Sequence, residues 1–528
     1  MKLVIFLVVF VGWLAVSEGS RILIVAAHGT KSHQNVYVPL TKELVGRGHH
    51  VTLITNYDIG EVAQHDNVNQ ILLEQLAMDT NIFPNMFKAT TGTWREKIEM
   101  GVQVARMMFT FPAMVAETTY GDSRIQTLLA KGKFDLVMFS EACGLTCYPF
   151  GWHFKAPTIA MSPNVLFPGR AALLGDEEHY SYVPFILSSY TDKMSLNQRL
   201  GNYLISKIFN TLVHDWHIDS VHSIFKKMVD PDCPSFIEIE KNFSLVFTNS
   251  HPSFSYPRTL PPQVIEVGGL HCRPARPLPD DLETFVSSSE AGFVVFAIGS
   301  AIKMEDMPEE MIQSFIKAFA RLPQRVVWQW KGKVRSDLPA NVLAVPWLPQ
   351  QDLLGHKHCR AFLTHGGLNS LQEAVYHGVP VLGFPFGTDQ TLNVGRAVKE
   401  GYAAKLEWKE ITQETLTKSI QEILHDSKYK KSAKRISGMF RDQIQPPLER
   451  AVFWTEFVLR HKGTDHLRLG SIDLAPYQRA LVDVYFVFSL FFIIPLLLVF
   501  FCVRKCCRAK RPAAPPAAVR NEQIKKRQ

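Results

Sequence analysis

Residues 347–393 constrain this chain more tightly than any other stretch. They read W-L-P-Q at 347–350, F-L-T-H-G-G-L-N-S-L-Q-E at 362–373 and P-F-G-T-D-Q-T-L-N at 385–393. The apolar run 361–364 predicts a strand, His365-Gly366-Gly367 the turn after it, and 368–377 a helix. A second apolar run, 379–384, leads into a turn carrying Asp389 and Gln390. Strand, glycine turn, helix and strand form the repeat unit of a parallel α/β sheet. At a strand-to-helix junction, unpaired backbone N–H groups and the helix dipole favour a phosphate group. Two adjacent glycines let the backbone approach such a ligand closely. A carboxylate and an amide at the carboxyl end of a parallel strand suit hydrogen bonding to sugar hydroxyls.

The same alternation opens the chain. Residues 22–26 and 51–55 read as strands, with a polar turn at 28–32, a helix over 36–47 and Gly48 at its end between them. Further strands are expected at 134–139 and 158–161, whereas 69–120 is mostly helical with poor periodicity. A proline-rich, charged segment, 273–281, reads as a linker. A second α/β domain then begins with a strand at 293–298 and Gly299-Ser300 at its first turn, and continues at 325–330 and 341–345. Pro446-Pro447 breaks the chain before a helical run at 449–460.

Two segments point to a membrane. Lys2, an apolar run to Val16 and small residues at 17 and 19 form a secretory signal peptide over 1–19. Residues 484–503 hold no charge, and twenty residues at ~1.5 Å each cover a hydrocarbon core of ~30 Å. Asp483 precedes the span and Arg504, Lys505 and Arg508 follow it, so the body is expected in the lumen and the tail, 504–528, in the cytosol. The tail carries nine Lys/Arg against one acid, Glu522, a net of +8 that equals the charge of the whole chain. The body is therefore near neutral, and the basic balance gives no sign of a nucleic-acid partner. Lys525 and Lys526 stand four and three positions from the end, the spacing of an endoplasmic-reticulum retrieval signal. Asn242-Phe243-Ser244 is the luminal glycosylation sequon. Five cysteines precede the span, too few and too scattered for a disulfide scaffold or a zinc site.

The motifs at 347–393 resemble those of the UDP-glycosyltransferases, in the membrane-bound animal branch that includes the UDP-glucuronosyltransferases, and the resemblance extends more weakly along nearly the whole chain. It implies the GT-B architecture: two facing, doubly wound Rossmann-like domains plus one C-terminal transmembrane helix. The expected organisation is an acceptor-binding domain at 20–270, a linker at 271–283, a UDP-sugar-binding domain at 284–445 and a segment at 446–483 that returns to the first domain, followed by the span. R-A-V-F-W-T-E-F-V-L-R-H-K-G at 450–463 matches that returning helix closely. The resemblance assigns Trp347 to stacking on uracil, Gln350 and Glu373 to the ribose, and Ser300, His365, Gly367, Asn369 and Ser370 to the diphosphate end. Asp389 and Gln390 fall to the sugar. It implies a UDP-sugar as co-substrate, no permanently bound cofactor, a small lipophilic acceptor, and homo- or hetero-oligomers.

Transfer of a sugar to a hydroxyl needs a base for the acceptor proton. His33 follows the first strand at its carboxyl end, where open α/β sheets place ligands, and an imidazole titrates near neutrality. The family's catalytic histidine falls on it. The family's orienting aspartate falls on Leu145 or Thr146, neither of which is acidic. Glu141, the nearest acid in that loop, is the candidate substitute, and a slip of a few residues in the match is the alternative. Asp135 begins the preceding strand, at the wrong end. The only luminal D-x-D, Asp230-Pro231-Asp232, is punctuated by proline and reads as a turn, so no metal is expected. The leading expectation is a metal-independent, inverting hexosyl transfer. A non-catalytic UDP-sugar-binding membrane protein, or a modulator of related transferases, is the alternative.

Overall fold

A computed structural model describes residues 19–34, 36–77, 92–167, 169–211, 216–300 and 302–509. The signal peptide, save Gly19, and the dilysine end of the tail lie outside the described residues. The chain divides into a compact unit, Met1–Leu469, and a C-terminal unit, Gly470–Gln528.

The first unit holds two parallel sheets. One has seven strands in the order β3-β2-β1-β4-β5-β6-β7, from β1 (Arg21–Ala26), β2 (His50–Thr55), β3 (Val68–Leu72), β4 (Leu136–Ser140), β5 (Thr158–Ser162), β6 (Leu245–Thr248) and β7 (Val264–Glu266). The other has six in the order β10-β9-β8-β11-β12-β13, from β8 (Phe293–Ala297), β9 (Arg325–Gln329), β10 (Val342–Val345), β11 (Cys359–Thr364), β12 (Val381–Gly383) and β13 (Ala403–Lys405). Both sheets are covered on both faces, which is why their central strands are unbroken apolar runs. Side chains alternate between two cores: Leu23, Val25, Val137 and Phe139 enter one, and Ile22, Ile24, Leu136 and Met138 the other. In the second sheet Val294 and Phe296 separate from Phe293 and Val295 in the same way.

Strand order reverses between β1 and β4 and again between β8 and β11. Crevices open beyond the carboxyl ends of strands at such switch points. The turns there carry His28 to His33 and Glu141 in the first sheet, and Gly299-Ser300 and His365-Gly366-Gly367 in the second.

The helix Pro447–His461 starts on a proline, whose missing N–H costs nothing in a first turn. It packs against the first domain. Ala451, Val452 and Val458 are fully buried in the core formed by Ile22, Leu40 and Leu44, each valine contributing ~1.5–3 kcal/mol. Arg450 Nη1 donates to the Glu266 carbonyl at 3.0 Å and Arg47 reaches Glu456 at 3.4 Å.

The second unit ends in the helix Val482–Ala509, longer than the 484–503 span read from the sequence. Its segment Val482–Cys507 has mean hydropathy 3.0, is long and apolar enough to cross a membrane, and has none of its most apolar window buried.

Candidate active site

The first domain presents His33 on a short helix, Lys31–Gln34, just past β1. Gln34 Nε2 donates to the Ala26 carbonyl at 3.3 Å, tying this helix to the end of the strand. The His33 N–H bonds the Thr30 carbonyl at 3.0 Å. The His33 imidazole is half-buried. Burial first, and the neighbouring His28 second, lower its pKa to about 4. It is thus neutral at pH 7, with a lone pair free to take a proton. Nδ1 is buried and has no hydrogen-bond partner among the described residues.

Glu141 does not supply the expected carboxylate. Its side chain is buried, and Arg170 Nε lies 2.8 Å from Oε1, an ion pair not aligned as a hydrogen bond. The same guanidinium pairs with Glu240 and donates to the Tyr148 hydroxyl at 2.5 Å. The assignment of Glu141 to His33 is corrected on this ground: its carboxylate is engaged with the buried Arg170 guanidinium, which it shares with Glu240. Leu145 and Thr146 are buried, Leu145 in the core beneath the first sheet. Asp135 accepts from the Arg21 N–H at 2.7 Å, at the opposite end of the sheet.

The second domain gathers the other residues. Trp347 is 54% exposed, unusual for the largest side chain, and Lys31 Nζ sits 4.8 Å from its ring centroid. Gln350 Nε2 donates to Glu373 Oε2 at 2.6 Å and Ser370 Oγ at 3.2 Å. Burial lifts the Glu373 carboxyl to about 7, and the Gln350 hydrogen bond opposes that rise. His271 Nε2 lies 3.6 Å from Glu373 Oε1.

His365 is wedged between two glycines. A Cβ on Gly299 or on Gly367 would stand 2.7 Å from its ring, and Gly299 also has φ +85°, so glycine is required there on both counts. Burial, then the Lys331 charge, lowers the His365 pKa to about 4. The helix Leu368–His377 begins at Gly367 with no side-chain cap, so the N–H groups of its first turn have no capping side chain among the described residues. Ser300 lies beside this junction, at the end of β8.

Asn369 is in that first turn, but its side chain faces the other domain. Nδ2 donates to the Ser32 carbonyl at 2.8 Å, and Oδ1 accepts from Asn249 Nδ2 at 2.9 Å. Gln372 Nε2 adds a bond to Asn249 Oδ1 at 2.9 Å. These contacts bring the residue preceding His33 onto the N-terminus of the second domain's helix.

Asp389 and Gln390 open the helix Thr388–Lys399. Asp389 accepts from Asn393 Nδ2 at 2.8 Å and Thr388 Oγ1 at 3.1 Å, and burial raises its carboxyl pKa. Thr388 holds φ +52°, a strained value for a β-branched residue. Gln390 Oε1 accepts from the Phe386 N–H at 2.9 Å. Asn249, Gln372, Asn393 and Lys331 were not singled out from the sequence, because each acquires its contacts only through tertiary structure. Asn242 is exposed, its amide bonded to the Glu238 carbonyl at 2.8 Å and to Arg468 at 3.3 Å.

Two Rossmann-like sheets with a glycine turn and an uncapped helix facing a histidine loop define a GT-B glycosyltransferase. Solved structures agree in fold: CalG4, the calicheamicin glycosyltransferase, superposes with a TM-score of 0.56 at 17% identity, over 84% of this chain and 99% of that one. The glycosyltransferase VinC, in complex with dTDP, gives 0.56 at 19%, over 84% and 100%. The family model described as UDP-glucoronosyl and UDP-glucosyl transferase matches residues 20–512. UDP-glucosyltransferase 2 of Dactylopius coccus is 32% identical over 94% of each chain. Human UDP-glucuronosyltransferase 2A3 is 32% identical over 85% of this chain and 86% of its own. The chain belongs to the UDP-glucuronosyl and UDP-glucosyl transferase family. It is a UDP-glycosyltransferase, and its donor is a UDP-sugar.

Proposed function

We propose that this enzyme transfers a hexosyl group, with inversion and without a metal ion, to a hydroxyl of a small lipophilic acceptor. One observation carries the reading: the 2.8 Å bond from Asn369 to the Ser32 carbonyl joins the histidine loop to the uncapped helix. A base from one domain then lies beside the donor site of the other, the proximity a direct displacement requires. In the step, His33 takes the proton from the acceptor hydroxyl as its oxygen bonds the anomeric carbon. The bond from that carbon to the β-phosphate oxygen breaks, and UDP leaves. Trp347 stacks on uracil. Gln350 and Glu373 hold the ribose. Ser300, Gly367, Asn369 and Ser370, through hydroxyl and backbone N–H groups, and His365 hold the diphosphate, whose charge the helix N-terminus also meets. Asp389 and Gln390 hold the sugar.

The body is placed in the lumen of the endoplasmic reticulum, glycosylated at Asn242, anchored by Val482–Ala509 and available to homo- or hetero-oligomers. Detoxification of hydrophobic compounds is the role that this topology and acceptor class fit. A second reading, a non-catalytic UDP-sugar binder, is favoured by the absence of a carboxylate on His33 Nδ1 among the described residues. A panel of UDP-hexoses with a simple phenol decides between them, the product's anomeric configuration being read by NMR. A β-glycoside from an α-linked donor supports the proposal. A retained α configuration overturns inversion, and UDP-sugar binding without turnover favours the binder.

A further inference from the structure

Lys331 follows β9 at its carboxyl end, half-buried, where sequence patterning assigns it nothing. Its ammonium group donates to the Ser300 carbonyl at 2.5 Å and approaches those of Gly299 and Ile302 at 3.3 and 3.5 Å. One cation thus gathers backbone carbonyls from the loop that follows β8. Carbonyls drawn toward Lys331 turn the peptide N–H groups away from it, and Gly299 packs its Cα against the His365 ring. Partial burial lowers the lysine's pKa, with Lys303 and Lys31 adding to the effect and Glu305 opposing it. Lys31 comes from the other domain, so positive charge reaches this loop from both sides of the cleft, three lysines against the one carboxylate of Glu305. A surplus of positive charge at an uncapped helix N-terminus calls for an anion.

We infer that Lys331 is a positioning residue for the donor diphosphate: it fixes the Gly299–Ser300 loop against His365 and supplies positive charge at that end of the site. This rests on the donor-site reading above. Lys331→Gln keeps a polar side chain of similar length and removes the charge. Lys331→Arg keeps the charge and the donors. UDP and uridine share base and ribose and differ in the diphosphate, so their inhibition constants separate this role from general damage to the site.

The full-length enzyme in detergent is assayed against UDP-sugar with each inhibitor. Lys331→Gln is expected to raise the UDP inhibition constant and the UDP-sugar KM about tenfold, the effect of losing ~1.4 kcal/mol. Uridine inhibition and acceptor KM are expected to stay within twofold, and Lys331→Arg to recover most of the loss. Should Lys331→Gln fail to fold, Lys331→Arg carries the test alone, with UDP inhibition near wild type expected and a selective loss of UDP over uridine overturning the charge role. Equal weakening of UDP and uridine in Lys331→Gln, or no change in either, overturns the assignment. A wild-type chain that binds neither ligand overturns the donor site itself, and the Lys331 assignment with it.

Discussion

Glu141 offers a test in which catalytic and structural roles predict opposite readouts. In the buried cluster one guanidinium, Arg170, faces two carboxylates, Glu141 and Glu240. Glu141→Gln leaves Arg170 and Glu240 as a balanced pair. Its cost is about 1.5 kcal/mol, the lower end for an interaction with a charged group, because repulsion between the carboxylates is relieved at the same time. Arg170→Met leaves two buried carboxylates without their cation and costs ~3–5 kcal/mol. At ~2.1 cal/mol/K per residue, a body the size of Met1–Leu469 shifts by ~1 °C per kcal/mol. Scanning calorimetry or dye-based melting of the detergent-solubilised chain should therefore show Tm falling by ~1–2 °C for Glu141→Gln and ~3–5 °C for Arg170→Met. Turnover of Glu141→Gln, measured well below either transition, should stay within threefold of wild type. A large loss of turnover at unchanged Tm would refute this reasoning and return Glu141 to the service of His33.

Three further outcomes are expected. Asp389→Ala should weaken UDP-sugar far more than UDP in calorimetry, whereas Trp347→Ala should weaken both alike; equal losses in Asp389→Ala would remove its sugar contact. Because burial lifts Glu373 to about 7 and lowers His33 to about 4, UDP-sugar KM should rise as pH falls below 7 and Glu373 protonates, while kcat stays flat down to about pH 5. Glu373→Gln should abolish that KM dependence, and a kcat that titrates near 6.5 would contradict the depressed imidazole. For stability, His28, His33, His251, His271, His365 and His377 all have folded pKa values near 4 against 6.5. The unfolded chain binds more protons between those limits, so this contribution is complete above pH 6.5 and lost as pH falls toward 4, with Glu373 acting in the opposite sense. A Tm that is level from pH 7 to 5 would contradict it.

Most of the central strands are legible in the sequence, and so is the edge strand β10, read at 341–345, whereas β6, inside the first sheet, is not. Residues 22–26, 293–298 and 361–364 are apolar without interruption because both faces of their sheets are covered. β3, Val-Asn-Gln-Ile-Leu, escaped detection because it is an edge strand with polar residues in its middle. The helix Trp94–Gly121 carries Pro112 in its interior, a residue that reads as a helix breaker, and leaves its apolar residues Trp94, Ile98 and Val102 exposed. In the site, Gly366, Gly367, Glu373 and Gln350 stood out because glycine turns and helix starts are local features. The pairing of Glu141 with Arg170 spans 29 positions and that of Asn369 with Ser32 spans 337, and no local pattern encodes either. Lys331 was invisible for the same reason: its partners are carbonyls, which every residue has.

The central claim is that His33 removes the acceptor proton while the other domain holds the donor. The most direct measurement takes turnover and UDP affinity of His33→Ala from one preparation. Loss of a general base costs ~10²–10⁴-fold in rate, and His33 is placed on the acceptor rather than the nucleotide, so UDP affinity should hold within about twofold. A His33→Ala enzyme that keeps more than about a tenth of the wild-type rate, with the same UDP affinity, would contradict the account.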